Sequence, residues 1–307
     1  MKQLFVEVYL SLKIPLSEDQ IQKNEIIKQQ EEQCNKIYNQ FTWKSDDLGR
    51  SNAINAGIID VLHEIISTRN LDDITAPYIH ALFVFTHPYS IAISKLLFEK
   101  KSLTYLLRLL DHQDQQIINS ALAAIVNILY CGVISTNHTL PHPYYEELVL
   151  QGGIQKIFTL LQQTTHQFSK NCLATIVGFV FRSREMPDPE MKDQIISHLK
   201  SNVNHQDEET RNEVNLALQC LQQNSDFNLQ FSDKEQLNNA TGQLFIYQFE
   251  EDMTESWLKE HFEQFGGVIS IFLPVCMGKS RGFGFVTMKE KEASLRAFNH
   301  CFQTSLN

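Results

Sequence analysis

The strongest constraint on the fold of this chain is that its middle repeats itself. Asp111-His-Gln-Asp-Gln-Gln116 recurs as Asn204-His-Gln-Asp-Glu-Glu209, a step from 111 to 204 that divides into two intervals of about 46 residues. Between them, Gly153-Ile-Gln-Lys-Ile-Phe-Thr-Leu-Leu161 parallels Ser102-Leu-Thr-Tyr-Leu-Leu-Arg-Leu-Leu110. Ala174-Thr-Ile-Val-Gly-Phe-Val180 likewise parallels Ala123-Ala-Ile-Val-Asn-Ile-Leu129, and an earlier copy opens at Gly57-Ile-Ile-Asp-Val-Leu-His-Glu-Ile-Ile66. Each copy reads as a helix with an apolar stripe, a polar turn and a second apolar helix. Such a repeat buries its stripe only against its neighbours, so residues 35–222 are expected to stack into an α-solenoid behind a helical lead-in at 1–34.

The period suits armadillo or HEAT repeats. Asn55-Ala-Gly-Ile-Ile59, Glu147-Leu-Val-Leu-Gln-Gly-Gly-Ile154 and the stretch from Asn171 through Phe179 and Arg182 to Pro187-Asp-Pro189 resemble the armadillo repeats of importin-α, an adaptor for basic nuclear-localisation peptides. That resemblance implies a groove in which tryptophans sandwich Lys and Arg stems while asparagines one turn away grip the peptide backbone. In this chain the corresponding pairs fall at His80 and Val84, Ala123 and Asn127, Ala174 and Gly178, and Leu216 and Cys220, and no tryptophan occurs between Trp43 and Trp257. Asn127 alone keeps the pattern. It is the candidate protein-binding residue, beside the plainer reading of an amide that ties one repeat to the next.

The C-terminal part carries a different pattern. In Lys279-Ser-Arg-Gly-Phe-Gly-Phe-Val-Thr-Met288, a strand would put Phe283 and Phe285 on one face, two residues apart, as flat rings for bases to stack on. Arg281 can reach a phosphate, Lys279 adds a second cation, and Gly282 and Gly284 leave room for a nucleotide against the backbone. Upstream, Leu244-Phe-Ile-Tyr-Gln-Phe249 reads as a companion strand that brings Phe245 as a third ring, with Tyr247 beside it. Thr254-Glu255 should start a helix with Trp257, Leu258, His261, Phe262 and Phe265 on its apolar stripe, stopped by Gly266-Gly267. A strand over 268–275, a turn at Gly278 and a second helix from Glu290 to Phe302, with Ala293, Leu295, Ala297 and Phe298 for burial, complete the order. Residues 242–307 therefore resemble an RNA-recognition motif, an α+β sandwich; the octapeptide pattern fits at every place but the last, where Met288 stands. The resemblance implies single-stranded RNA as partner.

Within that family, Phe249-Glu-Glu-Asp-Met, Leu258-Lys-Glu-His-Phe, Gln264-Phe-Gly and Gly278-Lys-Ser-Arg-Gly-Phe-Gly-Phe-Val are similar to motifs of polyadenylate-binding proteins, which implies adenosine-rich RNA. Tyr247-Gln248 stands where that family has Lys-Asn, and residues 242–307 hold six Lys/Arg against eight Asp/Glu. After the second helix only Gln303-Thr-Ser-Leu-Asn307 remains, so the fourth strand is expected to be missing and the first strand to lie at an open edge. Residues 223–241, rich in Gln, Asn, Asp and Ser, read as a linker whose Phe227, Leu229 and Phe231 could dock on the last repeat.

A net charge of −10 over 307 residues argues against a general nucleic-acid coat. Six scattered cysteines without a Cys-x-x-Cys pair fit reduced thiols of a cytoplasmic or nuclear protein. The opening Leu4-Phe-Val-Glu-Val-Tyr-Leu is a poor signal peptide, and no run is expected to reach transmembrane length. His138 and His142 lack a third metal ligand, and Asp72-Asp73 and Asp207-Glu-Glu209 fit helix starts better than paired catalytic acids. No nucleophile constellation, phosphate loop or metal cluster stands out, so neither enzyme, cofactor, metal nor small-molecule substrate is expected. The reading is an RNA-binding adaptor with a protein partner on the solenoid; the alternative is a diverged importin-α-like transport adaptor with a vestigial or protein-docking RNA module.

Overall fold

The computed structural model describes residues 2–137, 140–222, 242–247, 253–273, 275–276, 279–280, 283–290, 292–294, 296–297 and 300. The chain divides into two compact units, Met1–Asn228 and Leu229–Asn307.

The first unit is helical. A pair, α1 (Lys2–Leu12) and α2 (Gln20–Phe41), precedes three repeats: α3 (Asp47–Asn55), α4 (Ile58–Thr68) and α5 (Ala76–Phe83); α6 (Ile91–Glu99), α7 (Ser102–Leu109) and α8 (Gln115–Ile134); α9 (Tyr145–Leu150), α10 (Gly153–Gln163) and α11 (Gln167–Val180). A last pair follows, α12 (Pro189–Ser201) and α13 (Glu208–Gln222). Equivalent helices touch from one repeat to the next, in the rows α2, α5, α8, α11, α13 and α1, α4, α7. Each repeat thus has three helices, where the sequence reading anticipated two. The short first helices were missed because six to nine residues offer too few turns for a periodic stripe. The lead-in boundary at residue 34 falls inside α2, which runs on as one helix.

The junction between first and second helices is a left-handed residue in every repeat: Gly57 at φ 88°, Lys101 at φ 58° and Gly152 at φ 66°. Glycine occupies that region without a Cβ clash, which explains two of the three. At Gly178 the constraint is space. A Cβ there would lie 2.6 Å from Ala217 Cβ and 3.1 Å from its Cα, so α11 and α13 cross at backbone distance.

Cations of one repeat close helix ends of the one before, where unpaired carbonyls carry the negative end of the helix dipole. Arg108 of α7 donates to Ile66 O and, at 2.7 Å, to Arg69 O at the end of α4. Lys156 of α10 reaches Leu107 O at 3.0 Å at the end of α7 and pairs with Asp111 at 2.6 Å. Buried Arg182, just past α11, donates to Val133 O at 3.0 Å, Leu140 O at 2.8 Å and Thr136 Oγ1 at 2.6 Å around the end of α8.

One expectation needs correction. α8 is long and apolar enough to cross a membrane by length and composition. Its apolarity is explained by position: α5, α6, α7 and α11 pack around it, and Ile117, Leu122, Ile125, Val126, Ile128 and Leu129 are all buried. Cys34, Cys131, Cys172 and Cys220 are free and buried. Burial pushes the thiols of Cys34, Cys172 and Cys220 up, which keeps them protonated and unreactive.

Candidate nucleic-acid interface

The C-terminal unit pairs β1 (Gly242–Tyr247) and β2 (Val268–Phe272) with β5 (Phe283–Met288), both antiparallel, in the order β1-β5-β2. One face of this sheet is the core side. Val286 and Met288 are fully buried with Leu258, Phe262, Leu273, Ala293 and Ala297, and Leu244, Ile246 and Ile271 pack against them. Successive strand residues alternate between faces, so positions 245 and 247 of β1, 272 of β2 and 283 and 285 of β5 belong to the opposite face.

Register brings these positions into line. Phe285 pairs with Phe245 on one side and Phe272 on the other, making a row of three across the sheet, while Phe283 pairs with Tyr247 in the next row. The strand register thus sets the backbone positions of Phe245, Tyr247, Phe283 and Phe285 beside one another. Phe272 was overlooked. The alternation in Val268-Ile-Ser-Ile-Phe272 held the signal, but its face depends on a register shift between Val268 and Ser270 that only the paired strands reveal.

Lys279 sits elsewhere, in β4 (Lys279–Ser280), which pairs with β3 (Val275–Cys276) as a separate two-stranded ribbon. Arg281 lies outside the described residues, as do Gly278, Leu295, Phe298, Phe227, Leu229, Phe231 and His138. The single strand expected over 268–275 is broken because the Leu273 N–H is donated to Glu255 Oε1 at 3.4 Å, and the proline that follows has no N–H to give.

The helix α14 (Glu255–Glu263) begins as expected, with Thr254 Oγ1 accepting the Trp257 N–H at 3.2 Å. Leu258 and Phe262 face the core. Trp257 does not: at 48% exposure it lies on the helix flank, one position off the stripe of Leu258, Phe262 and Phe265, and stacks on His261 at 4.8 Å. Gly266 ends the turn at φ 153°, and a Cβ on it would meet Ala293 Cβ at 2.5 Å. The second helix, helical at 292–294 and 296–297, approaches there, with Ala293 and Ala297 buried as its pattern requires.

Residues 244–307 match the family model of the RNA recognition motif. No curated protein matches the chain. Solved structures similar to it include an engineered protein, 18% identical over 71% of this chain and 80% of its own, with TM-score 0.48. Others are ARO (armadillo repeats only protein) from Plasmodium falciparum, at 15% identity, 62% and 80% coverage and TM-score 0.43, and a designed armadillo repeat protein in complex with peptide (KR)4, at 15%, 70% and 98% and TM-score 0.37.

The matched residues thus span the sheet just described, and the helical body holds the other candidate, Asn127. Asn127 is only 5% exposed, and its amide donates to Thr86 Oγ1 at 3.0 Å, just past α5. The expectation that it grips a bound peptide gives way to the plainer one, a link between repeats. His142 is likewise absorbed: Nε2–H donates to Leu129 O at 3.0 Å, Nδ1 accepts the Tyr144 N–H at 3.1 Å, and burial lowers its pKa to about 3. Among the described residues no three His, Cys, Asp or Glu are placed to share a metal. Asp207 caps α13 by accepting the Thr210 N–H at 2.8 Å, which lowers its pKa, and Asp73 pairs with Lys23 at 2.7 Å.

Proposed function

We propose that this chain is a non-enzymatic adaptor of the cytoplasm or nucleus, holding single-stranded RNA on the sheet of its RNA recognition motif and a protein segment on its armadillo-like body. The observation that carries the reading is the row of Phe245, Phe285 and Phe272, with Tyr247 and Phe283 beside it, on the face opposite buried Val286 and Met288. Aromatic rings at that spacing take up successive bases of a single strand. Similarity to polyadenylate-binding motifs favours adenosine-rich RNA, and the excess of acidic over basic residues in this unit favours modest affinity with a shallow salt dependence.

Titration of labelled oligo(A) and oligo(U) tests the reading. Each stacked ring contributes about 1–3 kcal/mol, so Phe285→Ala should weaken binding by roughly five- to a hundredfold, and Phe272→Ala should fall in the same range. Arg281→Ala should lower affinity for both oligomers alike and flatten the salt dependence, as loss of a phosphate contact does. Binding by Phe285→Ala equal to that of the parent would remove RNA from this face.

The transport alternative is tested on the helical body. Each cation–aromatic contact contributes about 0.5–2 kcal/mol, so without tryptophans at its ladder positions a lysine-rich localisation peptide should bind at least about tenfold more weakly than an intact ladder would hold it. Fluorescence anisotropy measures this. Low-micromolar affinity or better, abolished by Asn127→Ala, would favour the import adaptor.

A further inference from the structure

One contact joins segments far apart in the helical body. Tyr89, in the connection after α5, donates its hydroxyl to Glu213 Oε1 of α13 at 2.6 Å, spanning 124 residues and passing both α8 and α11. The Tyr89 ring stacks on Tyr130 of α8 at 4.6 Å, and Tyr130 meets Phe179 of α11 edge-on at 6.1 Å, so an aromatic line follows the row of third helices toward α13. A second contact runs parallel to the first. His87 Nδ1 lies 3.6 Å from Glu209 Oε1, one turn before Glu213, and the His87 ring meets exposed Trp43 edge-on at 5.0 Å. Buried Arg50 of α3 fixes the same connection by donating to Pro88 O at 2.8 Å.

We propose that Tyr89 and Glu213 form a pH-sensitive clasp that fastens the connection after α5 to α13 across the third-helix row. The groups facing Glu213 are Tyr89 on the connection, Glu209 and Asp207 on α13, and the Cys172 thiol on α11, while His87 on the connection stands against Glu209. Removal from water raises the Glu213 carboxyl to about 8; the Tyr89 hydrogen bond opposes this, and Glu209 and Asp207 add to it. The closed form therefore holds a proton that an opened, hydrated Glu213 releases. Closure is at full strength below the ordinary carboxylate range, weakens as pH rises from there to about 8, and levels off above that. Opening frees the Tyr89 hydroxyl from α13.

Hydrogen exchange in the full chain reads the clasp through the Thr86 and His87 amides, both donated to Phe83 O at 2.8 and 3.2 Å. After correction for the intrinsic pH dependence of exchange, their protection should fall at least about tenfold between about pH 6 and pH 9. In Glu213→Gln, which cannot ionise, it should stay level. A fall of equal size in Glu213→Gln, or none in the parent, overturns the proposal. Should Glu213→Gln fail to fold, the 13C titration of the Glu213 carboxyl in the parent decides: a midpoint near 8 supports the clasp, and one in the ordinary carboxylate range overturns it.

Discussion

Replacing Arg182 with Met should lower the stability of the helical body by about 3–4 kcal/mol, a drop of roughly 10 °C in melting temperature for a domain of this size. The guanidinium is buried and spreads its donors over Val133 O, Leu140 O, Pro141 O and Thr136 Oγ1, holding Leu140 and Pro141 against the end of α8. Burial pulls its pKa down, yet a guanidinium starts so high that it stays charged, held by aligned carbonyl dipoles. Methionine fills the volume but strands those acceptors. Arg182→Lys should recover less than half of the loss, because one ammonium cannot reproduce a planar fork. Thermal melts followed at the helical circular-dichroism band make the comparison, and an Arg182→Met protein melting within about 2 °C of the parent would show that water replaces the guanidinium without loss.

Gln30→Leu should be nearly as damaging, at about 2–4 kcal/mol. Gln30 is fully buried in α2, and its amide nitrogen lies within hydrogen-bond reach of Ser11 O at 3.1 Å, Leu12 O at 3.2 Å and Ile14 O at 2.9 Å, where α1 ends. Its oxygen accepts from Arg69 Nη2 at 2.7 Å and Tyr78 Oη at 2.9 Å. One side chain therefore joins α1, α2, α5 and the end of α4, and a leucine of similar size would leave donors and acceptors unpaired on both sides. The loss should be uneven. Amides of α1 should lose exchange protection before those of α8, and a denaturation midpoint equal to the parent's would refute the assignment.

Much of the architecture could be read in advance because repetition exposes it. Gly57 and Gly152 mark the turn before the second helix of the first and third repeats, and the apolar stripes after them are long enough to show their period. The middle repeat hides the same turn, since Lys101 adopts the left-handed conformation without being glycine. Asn127 was singled out for its type and spacing, but its role is set by Thr86, a neighbour 41 residues away that spacing cannot supply. On the sheet, Phe245, Phe283 and Phe285 were legible from alternation within strands. Phe272 was not, because membership of that row depends on pairing between strands and on an irregularity in one of them. Trp257 misled for a simpler reason: its bulk and apolarity suit a core, and its angular position on α14 does not.

The helix-end cations have a direction. Arg108 closes the end of α4, Lys156 the end of α7 and Arg182 the end of α8, and each donor lies in the repeat that follows its acceptors. On the ribosome, the first repeat emerges with its second helix, and the middle repeat with its second and third, unfinished at their carboxyl ends, and the sealing groups are still to be synthesised. Structure in the nascent chain must then trail translation by one repeat, and a pause within a repeat holds open the one already made.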